Sequence, residues 1–423
     1  MKARLWFLLG LLATTTSWVY TTTVRGPWEH YVNVERGTLR AQMGDLYPSW
    51  VGTRELLLRG RNPYGPEVTR EIQMAYYGRV ISQKYGEPGP PPIDEQRFAY
   101  PVYVVLLLAP TTHLSFSQLQ EWAPVVLAAL TAASVLLWLD VLRWRPPGMA
   151  IAAIVLFVLS SPQVVQGLWL RQLGLLVGFL LAAGAWCISR NHLAAAGILL
   201  AIATLKPQMA ILPLMWFLIW SLAGWPTRRR LLVAFGITLA ALAGIGGMIL
   251  PGWPRYFLSG MFAYRQYSPT ISPLALILGA RISMVLSGLV IVGLVAWAWR
   301  NRPVSAVSGE FIYILASFCT AETLVMPLLT PYNQVLLLLP VLMIIRDWEV
   351  MARVWRGVFA VIVIWPWFIS LALLLHPPRL DSFRRTPLLP AVAGLLLPFF
   401  FALLLATQRN PGKEPGLPSA SPL

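Results

Sequence analysis

Apolar residues run through this chain in long blocks separated by short polar connections, from Leu5 to Thr407. A helix needs roughly 20 mostly apolar residues to cross a bilayer. The blocks predict an all-α polytopic bundle with about twelve crossings, near 5–24, 119–142, 149–168, 172–189, 192–205, 207–224, 231–250, 281–299, 309–327, 331–345, 356–375 and 388–407. The first of these is read as an uncleaved helix, because no small-residue cleavage site follows it. One stretch breaks the rhythm. Residues 25–97 are polar and hold nine of the seventeen acidic residues. Within them, 50–58 and 68–81 alternate apolar and polar residues like short amphipathic helices on a membrane surface, and Glu-Pro-Gly-Pro-Pro-Pro at 87–92 reads as a turn or extended linker. The next segment, 98–113, is apolar but interrupted by Pro101 and Pro110. It would make a helix of about 24 Å against a hydrocarbon core of about 30 Å, so it is predicted to be re-entrant, entering and leaving on one side. Residues 271–280 are expected to dip similarly. The whole reads as a single membrane domain over 1–407, with 25–97 as its one long loop and 408–423 as a disordered Pro/Ser/Gly-rich tail.

Composition agrees with that pattern. Of 423 residues, 57% are hydrophobic and 12% charged, and the mean hydropathy is +0.64, which lies outside the soluble globular range. The net charge of +16 would point to nucleic acid in a soluble protein. Here the cations sit in short connections between apolar blocks, where they set topology, and no nucleic-acid partner is expected. Lys2, Arg4, Arg143, Arg145, Arg190, Arg228, Arg229, Arg230, Arg300, Arg302, Arg346, Arg353, Arg356, Arg409 and Lys413 fall at alternate connections. Placing them inside puts both termini in the cytoplasm of a plasma-membrane protein. The opposite face then keeps Arg171, Lys206, Arg255, Arg265, Arg281, Arg379, Arg384 and Arg385, together with the long loop. Cys187 and Cys319 lie inside predicted crossings and form no disulfide framework. The four histidines lack companions at ligand spacing, so no metal site is read and no cofactor is expected beyond the substrates, with the need for a metal left open. No internal repeat is visible, which counts against a transporter built from two related halves.

That topology gathers several polar features on one face: Gly44-Asp45-Leu46-Tyr47, Leu170-Arg171-Gln172, Leu205-Lys206-Pro207-Gln208 and Thr330-Pro331-Tyr332-Asn333-Gln334, joined by the connection 251–270 with Tyr264 and Arg265. Cations at the mouth of a helix bundle are costly without an anion. The matching anion is a lipid phosphate. On the residues alone, other readings stay open. Asp45 could cap an amphipathic helix, Lys206 could snorkel from a helix end, and Arg171 and Arg265 could serve topology. Glu55 reads as a partner of Arg54 or Arg59. Asp140 and Glu322 fall inside predicted crossings, with Asp140 paired to Arg143 at i,i+3.

The strings GDLYPSWVGTRELLLRGRNPY, FAYPVYVVLLLAP, LRQLGLL, AGILLAIATLKPQMAILP and TPYNQVLLLLP, in that order between about residues 40 and 345, resemble glycosyltransferase family 87. The resemblance implies a membrane fold of GT-C type and a polyprenyl-phosphate sugar donor, mannose or a pentose. It also implies inversion at the sugar carbon, and one catalytic aspartate in the first extracytoplasmic loop, at Asp45. Lys206, Arg265, Arg171, Gln172, Gln208, Tyr332, Asn333, Gln334 and Tyr64 are the residues expected to bind substrate. A carboxylate would take the acceptor's proton while cations stabilise the departing phosphate. The implied partners are the lipid-linked donor, a lipid or glycan acceptor and the bilayer. Two departures stand out: Arg171-Gln172 where the family usually has Gly-Gln, and Tyr332-Asn333-Gln334 where some members carry His or Asp. The rival reading is a transporter or flippase of a lipid-linked saccharide, which would use the same cations without needing Asp45.

Overall fold

The computed structural model describes residues 2–35, 43–81, 95–264, 266, 271–327, 330–377 and 389–407. The regular elements among them are helices, with no strands. The first, α1 (Lys2–Tyr20), does not stop where the polar stretch begins. It continues through a π-helical turn (Thr21–Arg25) into α2 (Gly26–Glu35), so residues 25–35, expected to be loop, are helical. The i,i+4 pair between Arg25 and Glu29, at 2.8 Å, bridges the join. The two amphipathic stretches form α3 (Leu46–Arg59) and α4 (Pro66–Tyr77), each ended by a left-handed glycine, Gly60 and Gly78. Glu55 pairs with both Arg59 and Arg61 at 2.8 Å. The linker expected at 87–92 lies outside the described residues.

Residues 98–113 do not form one helix. Phe98 packs on Gly52 of α3, Tyr103 reaches away to donate to Thr204 O at 2.9 Å, and α5 (Val104–Leu108) with a 3-10 turn (Ala109–His113) brings the chain back. There Trp50, also on α3, donates to Thr111 O at 3.1 Å. The segment thus leaves and rejoins the same helix. Ser115 then starts α6 (Phe116–Val141) with a full capping box to Gln118, which satisfies two helix-end N–H groups reciprocally.

The crossing expected at 149–168 is two helices, α7 (Gly148–Leu159) and α8 (Pro162–Trp169), bent by 61°. The residue before a proline is pushed out of the helical region, and Ser161 is extended at ψ 143°. The carbonyl of Ser160 freed at the bend accepts Ser17 Oγ at 2.7 Å from α1 and an indole N–H at 3.2 Å from Trp367. Next come α9 (Gly174–Ser189), α10 (Leu193–Ala203), α11 (Pro207–Leu222), α12 (Trp225–Ile249), α13 (Trp253–Tyr264), α14 (Pro273–Leu278), α15 (Ala280–Asn301) and α16 (Gly309–Val325). A 3-10 helix (Pro331–Leu337) leads into α17 (Leu338–Arg346), and α18 (Arg353–Leu375) and α19 (Leu389–Thr407) complete the described chain. The expected dip at 271–280 is only the six residues of α14. The tail expected at 408–423 lies outside the described residues.

Every block predicted to cross is helical, but length divides the blocks. Among the described residues, only α6, α12, α15 and α18 are long and apolar enough to cross alone, or five spans if the bent α7–α8 pair counts as one. The 11 residues of α10 extend only about 17 Å. Twelve full-length crossings are therefore not what helix length supports. The described helices still make an integral membrane protein, with α12, α15 and α18 turning Ile237, Met248, Val292, Val361 and Phe368 outward.

At the centre stands α9, buried along most of its length and packed by α6, α10, α11 and the 331–337 turn. Beside it, α11 and α16 meet through Trp216, Phe311 and Phe318. Glu322 of α16, fully buried, accepts the backbone N–H of Leu212 at 3.0 Å and so braces one helix on the other.

Candidate active site

The site is built where the α2–α3 connection crosses the turn between α8 and α9. Gly44 has φ +71°, and a Cβ there would stand 2.7 Å from Leu170 O. Glycine alone permits this approach without strain. The close pass lets Asp45 N–H donate to Leu170 O at 2.8 Å. Asp45 is the N-cap residue of α3, but its side chain makes no capping bond. The capping reading therefore fails. The carboxylate instead accepts Gln172 Nε2 at 2.5 Å.

Gln172 is held by the α8–α9 turn, in which its own N–H donates to Gly167 O at 2.8 Å. Arg171 adopts φ +53° there, a left-handed conformation that costs a non-glycine residue roughly 1–2 kcal/mol. This is where the resemblance leads one to expect glycine, and the departure now has a physical meaning. The guanidinium compensates by donating to Trp169 O at 2.8 Å and Gln120 O at 3.4 Å, and burial lowers its pKa.

Lys206 sits at the N-cap of α11 and is only 5% exposed. Its Nζ donates to Gln172 Oε1 at 3.0 Å and to Asn333 Oδ1 at 3.1 Å, and lies 4.7 Å from the centre of the Tyr332 ring, within cation–π range. The helix α9 makes room for it at Gly174, where a Cβ would be 3.3 Å from Nζ and 2.9 Å from Met209 Sδ. Burial pushes the ammonium down to about 7, with the Asp45 charge pulling the other way. Tyr100 completes the cluster, its hydroxyl donating to Gln172 Oε1 at 3.3 Å. Burial first, and then the charge of Asp45, holds that phenol above its ordinary range, so it stays a donor. Asn333 is oriented in turn by donating to Thr330 Oγ1 at 2.6 Å.

Of the residues singled out in the sequence, Asp45, Gln172, Lys206, Tyr332 and Asn333 thus converge. Others do not. Gln334 is buried but engaged elsewhere, donating to Gly394 O of α19 at 2.6 Å and accepting from Gln163 of α8 at 3.2 Å, so it clamps helices together. Tyr64 stands one step back, donating to Tyr100 O at 2.6 Å and packing edge-on against Phe98. Gln208, half-buried in the first turn of α11, is not hydrogen-bonded into the cluster among the described residues. Arg171 points its guanidinium at the carbonyls named above. Arg265 lies outside the described residues. Sequence reasoning missed Tyr100 as a site residue, although it stood in the quoted string ahead of Pro101. Among the described residues, no group of three or more His, Cys, Asp or Glu is placed to hold a metal ion.

A half-buried carboxylate and a buried ammonium, drawn from distant parts of the chain and joined through a neutral amide, can serve as a base and an anion contact within one site. The sequence profile of glycosyltransferase family 87 matches residues 98–331, more than half of the chain. The chain belongs to glycosyltransferase family 87. It is a membrane glycosyltransferase by that membership. The matched segment contains Tyr100, Gln172 and Lys206, whereas Asp45 precedes it and Asn333 follows it, and the bonds to Leu170 O and Gln172 tie Asp45 to it. A UPF0182 protein of Rhodococcus jostii (strain RHA1) is 33% identical over 84 residues, which is 20% of this chain and 8% of that protein's length. No solved structure matches the chain.

Proposed function

We propose that this family 87 enzyme transfers a sugar, mannose or a pentose, from a polyprenyl-phosphate donor to a lipid or glycan acceptor on the extracytoplasmic side of the plasma membrane, with inversion. The observation that carries this reading is the convergence of Asp45 and Lys206 on the single amide of Gln172. As the acceptor oxygen bonds to the sugar carbon, the bond from that carbon to the phosphate oxygen breaks and its electron pair leaves with the phosphate. The hydroxyl proton passes to Asp45 as general base. Lys206 meets the negative charge growing on the phosphate, which a low-dielectric site requires. Asn333 and Tyr332 hold the ammonium in place.

Orientation is argued from charge. Asp140–Arg190 and Arg346 with Leu142 O lie at the end of the helices opposite Gln172 and Lys206, and Arg228 caps the carbonyls of Arg302 and Val304 at the far end of α11. Short basic connections stay in the cytoplasm, which puts the Asp45 end outside, and 1–407 is read as a single GT-C domain. The deciding experiment is an assay of the purified protein in lipid with a panel of radiolabelled polyprenyl-phosphate sugars. Transfer of label to an acceptor with inverted linkage supports the reading. Translocation of lipid-linked sugar without any transfer would instead support the carrier alternative and end this one.

A further inference from the structure

We infer that Tyr100 is a second hydrogen-bond donor to the phosphate of the sugar donor, acting beside Lys206, and that Gln172 Oε1 marks the point where a phosphate oxygen lands. This rests on the reading above, in which Lys206 meets that phosphate. The observation behind it is a convergence. Lys206 Nζ and the Tyr100 hydroxyl both donate to the one oxygen of the Gln172 amide, at 3.0 Å and 3.3 Å. A cation and a hydroxyl aimed at a single acceptor make a cradle for an oxygen that carries more negative charge than an amide does. Hydrogen bonds with an ionised partner are roughly twice as strong as neutral ones, so a phosphate oxygen would hold both donors better than Oε1 holds them.

The neighbouring tyrosines show what sets this hydroxyl apart. Tyr64 and Tyr103 direct theirs at backbone: Tyr64 donates to Tyr100 O at 2.6 Å, and Tyr103 donates to Thr204 O at 2.9 Å. The Tyr100 hydroxyl ends instead on a side chain that it shares with the ammonium of the site. The two backbone bonds also decide where that hydroxyl reaches. Thr204 stands just before Lys206 in the chain, so the Tyr103 bond ties the segment bearing Tyr100 to the turn bearing Lys206. Tyr64 holds Tyr100 from the other side, through the carbonyl of Tyr100 itself. A residue before proline is steered out of the helical region. Pro101 follows Tyr100, and α5 opens only at Val104. The two donors thus keep their spacing without needing Gln172 to bridge them.

A phenol suits the position chemically. Burial holds the Tyr100 hydroxyl above its ordinary range, so it keeps its proton and remains a donor. As the bond from the sugar carbon to the phosphate oxygen breaks, the electron pair stays on the phosphate, and Tyr100 offers it a hydrogen bond without giving up the proton. That bond strengthens as the charge grows. Only interactions stronger in the transition state than in the ground state accelerate the chemical step, and this one meets the condition. Tyr332 differs, because it serves the ammonium with its ring, 4.7 Å from Lys206 Nζ.

The test titrates the full chain in lipid with polyprenyl phosphate, the product that leaves, and measures kcat and donor KM in parallel. Tyr100→Phe removes one oxygen and keeps the ring. Affinity for polyprenyl phosphate should fall by about tenfold or more, and kcat should fall by a larger factor than donor KM rises. A hydroxyl that acts only by holding Gln172 would matter only while the amide is present, so the decisive comparison is made in a Gln172→Ala background. If Tyr100 touches the phosphate, adding Tyr100→Phe there weakens polyprenyl-phosphate binding by a similar factor, as independent contributions do. If the added substitution changes nothing, the inference is overturned. Binding needs no turnover, so the comparison survives any harm Gln172→Ala does to the chemistry. Gln172→Met, which keeps the length of the side chain and removes its amide, makes the same comparison where the alanine variant does not fold. Equal affinity of wild type and Tyr100→Phe for polyprenyl phosphate, in a protein where Lys206→Met weakens it, overturns the inference and leaves the enzyme reading standing. A wild type that neither binds polyprenyl phosphate nor transfers sugar overturns that reading, and the inference with it.

Discussion

The two ends of the bundle hold the same pair of chemistries and treat them oppositely. At one end Asp140 of α6 takes Arg190 directly at 2.5 Å, with Trp186 Nε1 at 2.8 Å completing its bonds, and the side chains of the pair are 32% and 48% exposed. At the other end Asp45 and Lys206 share an amide rather than a bond, and Lys206 is buried. The exposed pair is already satisfied and has nothing left to offer a ligand. At the Asp45 end the two charged groups meet on the one amide of Gln172. Position along the bundle, more than residue type, thus decides whether a charge serves architecture or chemistry.

The comparison breaks most sharply at Asp45. Asp45→Asn keeps the shape and removes the basicity, so turnover should fall by about 100- to 10,000-fold with donor binding largely retained, whereas Asp140→Asn should leave turnover within about twofold. Steady-state kinetics on the two variants checks both, and near-normal turnover of Asp45→Asn would remove it from the mechanism. Lys206→Met comes next. Bonds to a charged group are worth about 1.5–3 kcal/mol, so donor KM should rise roughly 10- to 150-fold while expression holds; unchanged donor affinity would return Lys206 to a snorkelling role.

The pH dependence follows from the same lysine and has two signs. Its ammonium titrates at about 7 in the fold instead of 10.5, so donor affinity of the wild type should weaken as pH rises through 7, and Lys206→Met should flatten that trend. For stability the sign reverses. Between about 7 and 10.5 the unfolded chain binds this proton more readily than the folded one, so the lysine's contribution to stability grows as pH rises across that window. Affinity and melting temperature should therefore move in opposite directions, which a paired titration detects. Gly44→Ala should cost about 1–3 kcal/mol, because its Cβ meets Leu170 O and its φ is left-handed, with activity falling alongside stability. Smallest is the exposed pair itself: Asp140→Asn should change stability by no more than about 1 kcal/mol.

Much of this was legible in the sequence, for physical reasons that differ from residue to residue. Apolar blocks announce helices because a bilayer leaves the backbone few alternatives, and each predicted block is helical. Lys206 stood out because an isolated cation beside apolar runs needs an anion. The Ser-Ser-Pro at 160–162 was passed over as part of a single crossing, since hydropathy averages across a bend that proline sets locally. Gln334 looked like Asn333 because adjacent polar residues in an apolar run carry the same sequence signal; which of them faces Lys206 depends on the turn's path and on a glycine in α19. The place of Gln172 between Asp45 and Lys206 was out of reach for the same reason. It exists only once those two residues arrive on either side of the amide.

The bonds that reach back from the end of the chain have a consequence for biosynthesis. The bend at Ser160 is fastened by an indole from α18, and the turn bearing Asn333 is fastened through Gln334 to Gly394 of α19. Chains emerge from the ribosome amino terminus first, so Asp45, Gln172 and Lys206 are all in the membrane before the helices that lock their supports have been made. A nascent chain halted after α17 would carry Asp45, Gln172 and Lys206 yet lack the two fastenings.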